Sequence, residues 1–140
     1  MSDSRYRAAV IGLGFIGGAD QVSGDALGQR VEDLDGTHVM AMLNHARVDL
    51  VAGSTRDEGR RERFHGRFGV PVFADWKQLL RDAAPFDIVG IATYTPVHAE
   101  ITHAALEAGA RVIYCEKPVA PTADEAQGMV DACKAAGAVL

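Results

Sequence analysis

A chain of 140 residues, 48% of them apolar and with a formal net charge of −5, has the size and composition of one domain around one core. The acidic balance, without a cluster of Lys and Arg on one face, excludes nucleic acid as a partner. No run approaches the ~18 apolar residues needed to cross a bilayer, so no membrane association is expected.

Residues 8–19 are all apolar or glycine and follow Arg5 and Arg7, which imitates an export signal. Four glycines in that run (Gly12, Gly14, Gly17 and Gly18) suit a strand and a phosphate-binding loop better. Cys115 and Cys133 are far apart and lack metal-type spacing. They are expected as reduced thiols of a cytoplasmic protein with no metal site.

In chain order, short β-rich apolar runs alternate with helical patterns. Strands are predicted at residues 8–11, 48–52, 70–73, 88–92 and 112–115, and helices at 38–45, 57–68, 76–83, 97–108 and 123–136. Several runs are apolar almost throughout, as in parallel sheets covered by helices on both faces. Strand–helix alternation repeated five times predicts an α/β fold, a doubly wound parallel sheet of the Rossmann type. Thr122 and Glu125 read as a capping box, and Gly109 and Gly137 fall where helix C-caps belong. Ala138-Val139-Leu140 reads as the opening of a sixth strand, so the chain is expected to be a fragment whose residues 1–140 form one dinucleotide-binding domain.

Gly12-Leu13-Gly14-Phe15-Ile16-Gly17 matches G-x-G-x-x-G. Among 15 glycines the match alone is weak, but its place directly after the first strand strengthens it. The first glycine permits the tight turn, the second lets backbone N–H groups approach a diphosphate, and the third lets the helix pack closely on the strand. The expected helix does not run straight on, because residues 18–36 are rich in Gly and Asp. This stretch reads as an insertion, a surface excursion or a flap, with Leu27, Val31 and Leu34 spaced for a short amphipathic helix.

A Rossmann domain selects its dinucleotide at the tip of the second strand, where an acid takes the ribose 2′-hydroxyl of NAD and an Arg accommodates the 2′-phosphate of NADP. Here the tip reads Gly53-Ser54-Thr55-Arg56. With the insertion subtracted, Ser54 lies about 19 residues after Gly17, near the spacing expected for the acid. Two hydroxyls and a guanidinium replace the carboxylate, which predicts NADP, with NAD as the alternative. Asp57 is assigned instead to the first turn of the next helix.

Three motifs then stand in order at strand ends: Gly12 to Gly17, the stretch Ile91-Ala92-Thr93-Tyr94-Thr95-Pro96-Val97-His98-Ala99-Glu100, and Cys115-Glu116-Lys117-Pro118. Together with Ala104-Ala105-Leu106-Glu107-Ala108-Gly109-Ala110-Arg111-Val112, they resemble the Gfo/Idh/MocA oxidoreductases over essentially the whole chain. The resemblance implies an NAD(P)-dependent dehydrogenase that moves hydride between the nicotinamide and a sugar, polyol or related hydroxyl compound. It casts Lys117 as the catalytic lysine beside the nicotinamide and Glu116 as a neighbour of its ribose. Thr93, Tyr94, Thr95 and His98 would line the cofactor, with Gly12, Gly14, Phe15, Ile16 and Gly17 at the diphosphate and Ser54, Thr55 and Arg56 at the adenosine ribose. Tyr94 and Thr95 depart from the family's Thr-Pro-Asn pattern, and His98 suits a structural hydrogen bond equally well. His38, His45, His65 and His103 carry no assigned chemistry.

The resemblance also places the substrate pocket and most of the interface of a homo-oligomer in a second domain beyond Leu140. A non-catalytic nucleotide sensor is the alternative function, and Glu116-Lys117-Pro118 speaks against it, since a sensor needs no lysine beside a nicotinamide. A methyltransferase would want an acid where Thr55 and Arg56 stand.

Overall fold

The computed structural model describes residues 4–22 and 34–140. The first strand, β1 (Tyr6–Ile11), leads through the glycine loop into a single turn, α1 (Phe15–Gly18), and the helix reopens as α2 (His38–Leu43). The interruption thus falls where the insertion is expected; its predicted helix at Leu27 and Val31 lies outside the described residues. Next come β2 (Val48–Ser54), α3 (Glu58–Phe68), β3 (Val72–Phe73), α4 (Trp76–Asp82) and β4 (Ile88–Ile91). A 3₁₀ turn at Thr95–Val97 then opens α5 (His98–Glu107), followed by β5 (Val112–Cys115) and α6 (Ala123–Ala135).

Local chemistry sets these boundaries. Asp57 is the N-cap of α3, its side chain accepting from the Arg60 N–H at 2.7 Å, and Asp75 caps α4 through the Lys77 N–H at 2.9 Å. The Thr122 hydroxyl accepts from the Glu125 N–H at 3.2 Å, which forms half of the anticipated capping box. Gly109 and Gly137 follow α5 and α6 at φ of +94° and +66°, the left-handed region that favours glycine. The third strand is shorter than its apolar run: Pro71 has no N–H to donate, and pairing with β2 begins at Val72.

All strand pairs are parallel, in the order β3-β2-β1-β4-β5. This is the Rossmann order, reversing between β1 and β4. Alternation along β1 feeds two cores. Ala8 and Val10 pack with Val39, Met42 and Phe64 from α2 and α3, whereas Ala9 and Ile11 pack with Leu79, Ile101 and Cys133 from α4, α5 and α6. Where the opening of a sixth strand is expected, Val139 makes one isolated parallel bridge to Val112, with N–H···O distances of 2.8 and 2.9 Å to its neighbours, and the described sheet has five strands.

Leu79 is fully buried in the larger core, while Tyr94 is 61% exposed. Leu79→Ala should cost about 2–5 kcal/mol in urea unfolding, from lost transfer energy and the cavity left behind. Tyr94→Ala should stay within about 0.5 kcal/mol of wild type. Equal effects would contradict this placement of the core.

Candidate functional site: a cleft at the strand ends

The loop after β1 is held on both sides. The Gly12 N–H donates to the Ser54 carbonyl at the end of β2, and the Ala92 N–H after β4 donates to the Ile11 carbonyl, each at 2.8 Å. Gly12 has φ +94°, and a Cβ there would run into the Ala92 carbonyl; one at Gly17 would run into the Gly12 carbonyl. Backbone therefore fills the space on that side, and the loop stays close to the sheet with its upper surface bare. Gly14 is the N-cap of α1, its carbonyl accepting from Gly18 N–H at 2.9 Å.

At the tip of β2 the arginines divide their work. Arg61 donates to the carbonyls of Thr55 and Arg56 at 3.1 and 2.6 Å and so closes the β2–α3 turn. Arg63 forms a bidentate pair with Asp20 at 3.0 and 2.7 Å, with Arg60 at 3.7 Å from the same carboxylate. Partial burial pushes the Asp20 carboxyl upward, but bonds from Arg63 and the Val22 N–H, with the charges of Arg63 and Arg60, outweigh it and hold the pKa low. Arg67 donates to the Ala19 carbonyl at 2.9 Å. These contacts seat α3 against the residues that follow α1. Among the described residues no hydrogen bond or ion pair engages the exposed Arg56 guanidinium. The Ser54 side chain is almost wholly buried, whereas Thr55 is half-buried.

His98 is fully buried. Its Nε2 lies 3.0 Å from the Thr93 carbonyl, and its Nδ1 lies 3.1 Å from the carbonyls of both Pro118 and Val119. Of the two roles open to His98, the geometry fits the structural one: no ring atom is accessible, and the imidazole ties the loop after β4 to the loop after β5. Beyond β5, Lys117 is exposed, and no ion pair holds its ammonium among the described residues. The Lys117–Pro118 peptide bond is cis. Burial, with the charge of Glu116, pushes the Cys115 thiol up to about 11, which disfavours the thiolate.

Glu116 has a partner that sequence reasoning missed. The buried His38 places Nε2 3.1 Å from Glu116 Oε1, and the Lys117 N–H donates to Oε2 at 3.2 Å. The His38 ring stacks on Tyr114 with centroids 4.2 Å apart. Seventy-eight residues separate His38 from Glu116, and nothing local marks the pair.

An open cleft of about 600 Å³ runs along this edge of the sheet. It gathers Gly12, Gly14, Ser54, Thr55, Arg56, Thr93 and Tyr94 from the predicted set. Phe15, Ile16, Gly17, Thr95, Glu116 and Lys117 are outside its lining. Asp57, Arg60, Asp75 and Trp76 line it without having been singled out as ligands; both carboxylates cap helices, and Trp76 opens α4 directly beside the tip of β2. No helix among the described residues is long and apolar enough to cross a membrane.

A parallel sheet reversing its order between β1 and β4, with a glycine loop and cleft at that point, defines a dinucleotide-binding domain of the Rossmann class. Residues 6–140 match the family model for the "Oxidoreductase family, NAD-binding Rossmann fold", and the chain belongs to that family, Gfo/Idh/MocA. It is 34% identical over 126 residues to levoglucosan dehydrogenase of Pseudarthrobacter phenanthrenivorans, covering 89% of this chain and 29% of that protein. It is 33% identical over 103 residues to D-xylose 1-dehydrogenase (NADP(+)) 2 of Haloferax volcanii, covering 73% of this chain and 31% of the relative. GenD2 from gentamicin A biosynthesis, solved in complex with NAD, superposes with a TM-score of 0.77 at 27% identity, over 98% of this chain and 34% of that one. The chain thus spans between 29% and 34% of the length of these proteins.

Burial pushes His38 below the ordinary histidine value of 6.5, outweighing the hydrogen bond and charge of Glu116, which act in the opposite direction. The fold favours the neutral ring, so stability is fully present above pH 6.5. It falls as pH drops toward the depressed folded value, because the unfolded chain binds a proton that the folded chain resists. His38→Gln removes this titration. Below pH 6.5 its unfolding free energy should decline less steeply than wild type, by up to about 1.4 kcal/mol per pH unit. Urea unfolding at a series of pH values checks this, and identical slopes would contradict it.

Proposed function

We propose that this chain is the dinucleotide-binding domain of an NADP-preferring dehydrogenase acting on a sugar, polyol or related hydroxyl compound. One observation carries the reading: the glycine loop, the 54–56 tip and the Lys117 strand end all lie on one edge of the sheet, around the point where strand order reverses. A dinucleotide fits this edge. The space that a Cβ at Gly12 would need is filled by backbone, which keeps side chains out of the turn that a diphosphate would approach. The adenosine half then falls over β2 and the nicotinamide half over β4 and β5, beside Glu116 and Lys117.

The bound nicotinamide would supply the hydride acceptor. This chain's own part is to orient it and to meet the charge that develops on the substrate oxygen. The Lys117 ammonium, exposed at the end of β5, is the group for that task, since a fixed cation there stabilises the developing oxyanion. Across the sheet, at the tip of β2, Arg56 lines the cleft with its guanidinium unengaged among the described residues, and the neighbouring Asp57 carboxylate caps α3. The relatives named for levoglucosan and for D-xylose with NADP(+) support the substrate class and the cofactor. A cytoplasmic setting, in which the two free thiols stay reduced, belongs to the same reading.

Calorimetry of the chain with each dinucleotide tests the cofactor preference. NADPH should bind more tightly than NADH. Arg56→Ala should weaken NADPH about tenfold to hundredfold, the equivalent of one charge-assisted contact, while leaving NADH nearly unchanged. NADH binding as tightly as NADPH to wild type would overturn the preference. In the protein extended through its substrate domain, Lys117→Ala should lower kcat by orders of magnitude with little change in NADPH affinity. Normal turnover would remove Lys117 from the chemistry and favour the sensor reading.

A further inference from the structure

His38 is a poor residue for a purely structural core position. Its side chain is fully buried, and its Nδ1 has no hydrogen-bond partner among the described residues. An apolar side chain would fill the same space without stranding a polar atom. The sheet nevertheless makes room for the ring. Gly90 lies across from it in β4, and a Cβ there would stand 2.9 Å from Nδ1 and 3.1 Å from the Met42 methyl. Tyr114 covers one face of the imidazole. What this arrangement achieves is a single directed contact, from Nε2 to Glu116 Oε1 at 3.1 Å.

A carboxylate only accepts, so the ring nitrogen facing it carries the hydrogen. Glu116 then has both oxygens committed, Oε1 to His38 and Oε2 to the backbone N–H of Lys117 at 3.2 Å. The carboxylate is a bridge between the first residue of α2 and the strand end that bears the lysine. We propose that His38 is a positioning residue for the nicotinamide half of the dinucleotide, acting through Glu116 on the Glu116-Lys117 strand end. This rests on the dinucleotide reading given above. It adds that the nicotinamide side of the cleft is set from beneath by a buried histidine, independently of the glycine loop and the 54–56 tip.

The consequence is selective. Loss of the His38 hydrogen bond should release Glu116 and the Lys117 backbone, while the site for the adenosine half, three strands away at the tip of β2, keeps its geometry. Two ligands separate these effects: NADPH, which spans the whole cleft, and 2′,5′-ADP, which carries only the adenosine half. His38→Gln places an amide N–H about where Nε2 stands, whereas His38→Asn is too short to reach the carboxylate. In calorimetric titrations of the chain, His38→Asn should weaken NADPH about tenfold, as expected for one charge-assisted hydrogen bond, and leave 2′,5′-ADP within about twofold of wild type. His38→Gln should recover most of the NADPH affinity, and Glu116→Gln should behave like His38→Asn.

Unchanged NADPH affinity in His38→Asn would overturn the proposal. Equal losses for both ligands would also overturn it, since they mark a merely structural residue. Wild-type protein that binds 2′,5′-ADP as tightly as NADPH would overturn it while leaving the dinucleotide reading intact. Binding of neither ligand would remove both together.

Discussion

The rest of the site depends on the close approach between the turn after β1 and the end of β4. Gly12 donates to the end of β2 while Ile11 accepts from the residue that follows β4, so the turn is held in both directions at the centre of the sheet. No side chain fits there: a Cβ at Gly12 meets the Ala92 carbonyl, and one at Gly17 meets Gly12. This contact is what reversal of strand order between β1 and β4 produces, because helices leave to opposite faces and expose a gap at the strand tips. The cleft is that gap. Backbone at Gly12 and Ala92 bounds it at the centre of the sheet, and the side chains of Arg56, Trp76 and Tyr94 line it further out.

Charge is distributed around this frame with a division of labour. The helix after β2 carries Arg60, Arg61, Arg63 and Arg67, and each of the four contacts an oxygen of the chain. Exposed ion pairs contribute little, about 0–1 kcal/mol. The Asp20 carboxylate is only 9% exposed, however, and it collects two of these arginines, which gives the pairing more weight than its surface position suggests. Arg56 at the strand tip faces the cleft with Arg60 beside it, and of the two, Arg60 lies near the Asp20 carboxylate.

The ends of β4 and β5 are organised by two histidines that are both buried. His98 links the Thr93 carbonyl to those of Pro118 and Val119, which sets the spacing between the loops after β4 and β5. His38 reaches the same region from the opposite face of the sheet and holds Glu116. Between them the strand end bearing Lys117 is braced from both faces, although Lys117 itself stays exposed. An exposed lysine on a braced backbone is free to meet a partner from outside the chain without ordering the backbone first.

What sequence alone determined is local and periodic. Apolar runs such as Ile88-Val89-Gly90-Ile91 identify strands, and Asp57, Thr122, Gly109 and Gly137 mark helix ends, because each acts through hydrogen bonds or φ angles within a few residues. The glycine loop and the Glu116-Lys117-Pro118 strand end were legible for the same reason, and with the stretch between them they identified the family. Strand order, by contrast, is a matter of which tips meet. Only the tertiary structure put Trp76 and Asp75 in the cleft beside Thr55. Likewise, only the fold chose between the two roles open to His98 and brought His38 to Glu116. A histidine's chemistry is set by what lies within 3 Å of its nitrogens, and for His38 that is a carboxylate seventy-eight residues away.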